Sequence, residues 1–182
     1  MENFSNNFLI SMPHLDDSIF EKSLIYICDH NKSGAMGVII NKPIPPRKMT
    51  NILTQIGLEQ LKPNLEVCFG GPVQIEMGMV LHDCKYQTDK TINITKSISL
   101  TSDMSVIHDI KNGSGPRNFK VTLGYSGWDE GQLESEIENG DWILVPANYD
   151  LIFNTPSKEM FQKLQSHINI NVNNLSGTSG IS

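Results

Sequence analysis

Arginine is almost missing from this chain: its 182 residues include only Arg47 and Arg117, and the net charge is −6. Affinity for DNA or RNA comes largely from phosphates neutralised by Lys and Arg. The composition therefore argues against nucleic acid as a partner. The one basic patch, Lys42, Arg47 and Lys48 around a proline-rich turn, reads as a solvated loop. Cysteine is scarce too: Cys28, Cys68 and Cys84 are odd in number and widely spaced, which is not a disulfide framework. They read as buried, reduced thiols of a cytoplasmic protein. No apolar run approaches the ~18–20 residues that cross a bilayer, so no membrane association is expected. No basic residue precedes Lys22 and no long apolar stretch follows the start, so no secretory signal is expected.

Motifs that announce common chemistries are also lacking. There is no G-x-x-x-x-G-K-[ST] loop, no G-x-G-x-x-G after a strand, no H-E-x-x-H and no C-x-x-C. A G-x-S-x-G nucleophile elbow is missing as well. The five histidines, His14, His30, His82, His108 and His167, show no metal-ligand spacing. Neither a metal nor a cofactor is expected.

What is there is an ordinary globular composition, 38% hydrophobic and 19% charged, long enough for one core. Apolar runs and alternation predict strands over residues 8–11, 23–29, 36–41, 66–69, 77–82, 91–94, 98–101, 119–125 and 142–145. A turn at 13–17, a helical turn at 18–21 and a loop at 31–35 are expected between the first of them. Thr50 caps a predicted helix bearing Ile52, Leu53 and Ile56, closed by Gly57. Ser102 caps a second, with Met104, Ile107 and Ile110 inward and Gly113 at its end. Asp129 and Gln132 form a capping-box variant, opening a helix with Leu133 and Ile137 inward that stops near Gly140. Thr155-Pro156 opens the last, whose buried face carries Met160, Phe161, Leu164 and Ile168. Ile168, Ile170 and Val172 alternate as a marginal edge strand, and residues 175–182 read as a loose tail. Strands outnumber helices without alternating regularly with them. The expectation is a single α+β domain over residues 1–182, with its core at about 8–168. A coiled mixed or antiparallel sheet forms that core, with helices on its outer faces.

Several polar residues are candidates for chemistry. His30 and His82 each end an apolar strand, and two imidazoles converging on one rim of the sheet would suit proton transfer. Alternatively each bonds a loop carbonyl. Gly34, Gly37, Gly70 and Gly71 suit either tight turns or an anion nest, to which Asn41 and Lys42 would add a donor and a cation. Ser102 reads as a plain N-cap, or as an anion ligand or nucleophile if a base is near. The most unusual stretch, residues 124–134, carries Tyr125 and Trp128 through a glycine-rich turn into a helix with Gln132 and Glu134. Trp128 is either a contact for a partner or ligand, or a filler beneath the loop. Asn31, beside His30, belongs to the same set.

Taken in order, these stretches resemble the AlgH/YqgE family, an uncharacterised bacterial group. The matching segments are Phe8-Leu9-Ile10-Ser11-Met12-Pro13, Asp17-Ser18-Ile19-Phe20, Tyr26-Ile27-Cys28-Asp29-His30-Asn31 and Gly34-Ala35-Met36-Gly37. Asn41-Lys42-Pro43, Gly70-Gly71-Pro72, Gly78, Leu81-His82 and Thr101-Ser102-Asp103 follow. Leu123-Gly124-Tyr125 through Trp128, Gly131-Gln132-Leu133-Glu134, Pro146-Ala147 and Ile152-Phe153 complete the series. The resemblance implies one α+β domain on coiled β-sheet and brings no established activity, cofactor or catalytic residue. Some members are labelled transcriptional regulators through a link to alginate production, and similar proteins are often encoded beside an RNase-H-like nuclease. No helix-turn-helix signature supports the DNA-binding label here. Where the family usually has Arg, this chain has Met77, and Phe161 replaces a Trp of the last helix. The function expected is a non-enzymatic regulatory or binding module acting through an unknown protein or small-molecule partner. The alternative is a small-molecule hydrolase or transferase using His30 and His82, with Ser102 or Glu134 assisting. Direct DNA binding is the third reading.

Overall fold

The apolar runs assemble into one nine-stranded sheet in the computed structural model, which describes residues 3–15, 17–55, 65–103 and 105–168. Its strands are β1 (Asn7–Ser11), β2 (Leu24–Asn31), β3 (Gly34–Ile39), β4 (Val67–Phe69), β5 (Val73–Asp83), β6 (Thr91–Asn93), β7 (Ile98–Thr101), β8 (Phe119–Asp129) and β9 (Trp142–Pro146). The helices are α1 (Pro46–Gln55), α2 (Ser105–Asn112), α3 (Gln132–Glu138), α4 (Tyr149–Asn154) and α5 (Ser157–His167). Strand order is β6-β7-β5-β8-β3-β2-β1-β9, with β4 beside β8. β4 runs parallel to β8 and the pairs along the main path are antiparallel, so the sheet is mixed. It curls into a half-barrel.

β8 is the spine. Its first half pairs with β5 and β4, and its last residues pair with β3. Between the halves Gly124 takes φ 71°. That left-handed residue breaks the two-residue alternation of side chains. Val121 and Leu123 before it, and Trp128 after it, consequently all face the same side. Opposite Gly124, β5 spends the four residues 74–77 where β8 spends one, between the pairs Val73–Tyr125 and Gly78–Leu123. This wide bulge stands out from the sheet.

Both faces are covered. On one, Phe8, Ile10, Leu24, Tyr26 and Leu81 pack against Leu151 and Ile152 of α4 and Met160 and Leu164 of α5. On the other, Leu9, Ile25, Ile27, Ile39 and Trp128 pack beneath Leu133 of α3. Farther along that face, Val67, Val80 and Val121 pack beneath Val106 and Ile107 of α2, with Met49 and Ile52 of α1. Each fully buried aliphatic side chain is worth ~1.5–3 kcal/mol of transfer free energy. Helices thus cover the two faces of the sheet, as expected.

The structure corrects several local expectations. α1 begins at Pro46, not at a Thr50 cap, because proline at a first helical position needs no N–H partner and has a helix-ready φ. The expected loop at 31–35 is a tight hairpin: Asn31 Oδ1 accepts the Ser33 N–H at 2.8 Å and pairing resumes at Gly34. Asp103, not Ser102, caps α2, accepting the Ser105 N–H at 3.0 Å. Of the capping box at α3 only the glutamine half forms, Gln132 Oε1 accepting the Asp129 N–H at 2.9 Å. α4 was not expected; Asn148 caps it through the Leu151 N–H at 3.1 Å. Ile56, Gly57, Met104, Ile170, Val172 and residues 175–182 lie outside the described residues.

The Gly124 crossing makes a testable demand. A Cβ there would stand 2.4 Å from the Gly71 carbonyl oxygen, whereas at Gly113, with φ 79°, it would meet nothing within 4 Å. Gly113→Ala is expected to cost the left-handed penalty alone, ~1–2 kcal/mol. Gly124→Ala should add an overpacking cost of ~1–3 kcal/mol. Urea denaturation of the two variants checks the ranking.

Candidate functional site

The candidates expected from the sequence divide sharply in space. His30 and His82 do not converge. From β5 to β2 the sheet takes three antiparallel steps, through β8 and β3, so the two strands run oppositely and their C-terminal ends lie at opposite rims. His82 sits across from Phe119, at the start of β8. His30 sits beside Ala35, which faces Trp128 near its end. Those ends are separated along β8 by roughly 30 Å at an extended rise. The shared acid–base site is excluded on this geometry.

Each histidine is instead satisfied locally. His82 is fully buried. Its Nδ1 lies 2.7 Å from the Asp83 carbonyl oxygen, which can only accept, so Nδ1 carries the proton. Nε2 then accepts from the Thr101 hydroxyl at 2.8 Å, and Thr101 Oγ1 lies 2.7 Å from Thr91 Oγ1. Burial holds the imidazole below its ordinary value, against the opposing pull of Asp83. Its hydroxyl partner is Thr101, not the candidate Ser102.

His30 reaches the other face through a β-bulge. The β2–β3 register slips between Ile27 and Asp29, leaving Cys28 as the extra residue. Without the slip His30 would follow Tyr26 and Cys28 into the face covered by α4 and α5. With it, the ring joins Ile25 and Ile27 beneath α3. There it stacks on Phe4, centroids 4.7 Å apart and planes at 11°. Its Nδ1 accepts the Phe4 backbone N–H at 3.0 Å, so Nε2 carries the proton and donates to Glu134 Oε1 at 2.9 Å. The Glu134 carboxyl is held below the usual carboxylate range by its own backbone N–H at the start of α3 and then by His30, against partial desolvation.

Trp128 is buried, at 6% exposure, and is the filler beneath the turn. Its Nε1–H donates to Glu136 Oε2 at 2.8 Å, and the Nε1–H of Trp142 donates to the same oxygen at 2.8 Å. The two indoles meet edge to face at 6.1 Å. Gln132 Nε2 donates to Glu136 Oε1 at 2.8 Å. Glu136 thus collects three donors and staples β8, α3 and β9. It was not among the candidates, although its four-residue spacing from Gln132 was the available signal.

The glycines are consumed by close backbone approach. A Cβ on Gly34 would lie 2.1 Å from the Trp128 carbonyl oxygen, and one on Gly37 2.7 Å from Ile25 Cγ2. Gly70 donates its N–H to the Leu123 carbonyl at 2.7 Å and accepts from the Ile39 N–H at 2.8 Å. Asn41 ties the start of β2, accepting the Leu24 N–H at 2.7 Å and donating to the Lys22 carbonyl at 2.9 Å. Lys42 Nζ donates to the Ile19 carbonyl. Asn31 shapes its hairpin, and Tyr125 packs against the face beneath α4 and α5. Asn41, Lys42 and Gly70 are thus each bonded within the fold, and the Lys42 carbonyl accepts the Phe69 N–H at 2.8 Å beside Gly70. Met77, where the resemblance expects Arg, is 37% exposed on the bulge, and Phe161 packs against the core as a substitute for Trp would.

One further polar cluster joins α5 to β8. Lys120 Nζ donates to Ser157 Oγ at 2.8 Å and stands 3.7 Å from Glu66, to which the Ser157 hydroxyl donates. Ser157 is 1% exposed. A buried hydroxyl held between a cation and a carboxylate is a structural tie. Cys28 and Cys68 are buried and Cys84 is partly exposed, which corrects the expectation of three buried thiols. Burial pushes the Cys28 and Cys68 thiols up, away from the reactive thiolate. Among the described residues no group of three His, Cys, Asp or Glu side chains could hold a metal, and no helix is long and apolar enough to cross a membrane.

A half-barrel sheet with helices on both faces defines the class: a one-domain α+β protein. The chain belongs to the AlgH-like family, DUF179, whose model matches residues 8–173. A UPF0301 protein of Marinomonas sp. strain MWYL1 is 41% identical over 182 residues, covering 98% of this chain and 96% of its own. One from Hahella chejuensis is 42% identical over 180 residues, covering 99% and 97%. The solution structure of the AlgH protein from Pseudomonas aeruginosa superposes with TM-score 0.79 at 30% identity, covering 99% of this chain and 96% of that one. A crystal structure of a Corynebacterium diphtheriae protein gives TM-score 0.73 at 18% identity, covering 98% and 94%, and shows the shared fold alone.

Two consequences are measurable. Glu136→Ala strips both buried indole N–H groups of their acceptor, with an expected loss of ~2–4 kcal/mol in urea titration and a change in tryptophan emission. His82, held low in the folded state, contributes stability that is fully present above the unfolded-chain value of ~6.5 and is lost as pH falls below it. The advantage of wild type over His82→Gln should therefore shrink on acidification from pH ~7.5 to ~5.5, as read by denaturation at each pH.

Proposed function

We propose that this chain is a non-enzymatic binding module that engages a protein partner through the bulge of β5. The carrying observation is the exposure of Ile75, at 57%, and Met77, at 37%, on residues 74–77. Large apolar side chains held out from a rigid support suit the centre of a contact. The support here is the backbone crossing of Gly71 and Gly124, whose Cβ positions the opposing chain already fills. Against the enzyme reading stand the separation of His30 from His82 and the bracing roles of the other candidates. A net charge of −6 weighs against DNA. Free cysteines fit a cytoplasmic setting, which is part of the proposal.

A small-molecule partner is the second reading. It is favoured by a cleft of about 380 Å³ between the turn after β1 and α5, a size within the range of ligand sites. Leu15 and Phe161 line it beside Asp17, Glu21 and Lys22, a mixture suited to an apolar body bearing polar groups.

The test is the double variant Ile75→Glu/Met77→Glu. Both positions are exposed, so Tm should move by no more than ~1–2 °C. A partner captured by the wild type, then purified, should bind the double variant at least about tenfold more weakly by calorimetry. Equal affinity for both proteins would overturn the docking site.

A further inference from the structure

We propose that His30 is a proton-operated latch that holds the N-terminal segment against the outer side of α3's half of the sheet. Two contacts join Phe4 to His30, besides the bond that Asn7 Nδ2 donates to the Phe4 carbonyl at 3.1 Å. The Phe4 ring lies flat on the imidazole, and the Phe4 backbone N–H donates to Nδ1 at 3.0 Å. Nδ1 can accept that bond only while it carries no proton of its own. A second proton on the ring must go to Nδ1, since Nε2 already holds one and gives it to Glu134. Protonation therefore turns the acceptor into a donor and sets it against the Phe4 N–H.

The ring cannot turn over to recover the bond. Its side chain is 1% exposed, and a flip would sacrifice the bond to Glu134, which becomes an ion pair once the imidazole is charged. Glu134 thus anchors the ring in both states, and the strain of protonation falls on Phe4. The groups around the ring make this a local event. Glu134 is the carboxylate that α3 sets against it; Glu130 and Glu138, nearby in that stretch, are exposed. On β2 the adjacent Asp29 is exposed and tied to Asn31. β3 sets uncharged Ala35 beside the ring, and Lys32 in the hairpin turn is exposed.

The bond that protonation breaks is the one at the Phe4 N–H, and the chain beyond it is held by bonds that do not pass through His30. Beyond Ser5, the Asn6 N–H donates to the Ile27 carbonyl at 2.9 Å, the Ala147 N–H donates to the Asn6 carbonyl at 3.2 Å, and the Tyr26 hydroxyl donates to Asn6 Oδ1 at 2.9 Å. None of these bonds involves His30. Asn6 itself has φ 61°, a bend that separates the segment bearing Phe4 from β1. Release therefore frees the Phe4 N–H and loosens the ring from the face of His30, while β1 stays paired and Asn7 keeps its bond to the Phe4 carbonyl.

Amide hydrogen exchange by NMR on the full chain, corrected for the intrinsic pH dependence of exchange, tests the latch. The expected result is that Phe4 amide protection falls about tenfold in step with the titration of the His30 ring, followed by its own ring signals. Protection at Asn6 should be kept. In His30→Gln, whose side-chain carbonyl accepts without titrating, Phe4 protection should not change with pH. The latch is overturned if Phe4 protection is constant through the His30 titration. It is equally overturned if His30→Gln loses protection over the same pH range, or if Asn6 is lost in parallel with Phe4.

Discussion

Everything in this molecule is arranged around one backbone contact, the crossing of Gly71 over Gly124. There the two chains approach so closely that neither position has room for a Cβ. Because Gly124 also takes a left-handed conformation, β8 reverses its side-chain alternation at that point. One strand can then serve two sets of neighbours, β5 and β4 on one side of the crossing and β3 on the other. The bulge that carries Ile75 and Met77 is the geometric complement of that reversal.

A second register device works on β2. One extra residue at Cys28 moves His30 from the face it would share with Tyr26 to the face beneath α3. The cost of a disturbed ladder is offset by the contacts it creates: Phe4 stacked on the ring, Glu134 bonded to it, and Glu136 receiving two indole N–H groups nearby. These polar residues are expensive to bury without partners and contribute stability only as a complete network. Residues that the sequence offers as candidates for chemistry thus also brace the fold.

The strands and most helices were legible because burial imposes period-two and helical patterns directly on residue choice. Met160 and Leu164 mark the buried face of α5, and Leu133 that of α3, as their spacing implied. Helix starts were less legible: Pro46, Asp103 and Asn148 open helices that Thr50, Ser102 and no residue at all were expected to open. Caps are single hydrogen bonds between neighbours, and a run of Ser, Thr, Asp and Asn offers several equivalent donors and acceptors.

By itself the sequence determined the class of fold, the family, and the exclusions of disulfide framework and nucleotide loop, because composition and local pattern carry those directly. It also singled out His30, Trp128, Glu134 and the glycine pairs as out of place, though not Glu136. Tertiary structure alone decided what they do. Whether two histidines meet depends on the number of antiparallel steps between their strands, and three steps send them to opposite rims. Whether a tryptophan is contact or core depends on which helix lies over it. Strand order, register slips and coverage are set by contacts between segments far apart in the chain, and no local pattern encodes them.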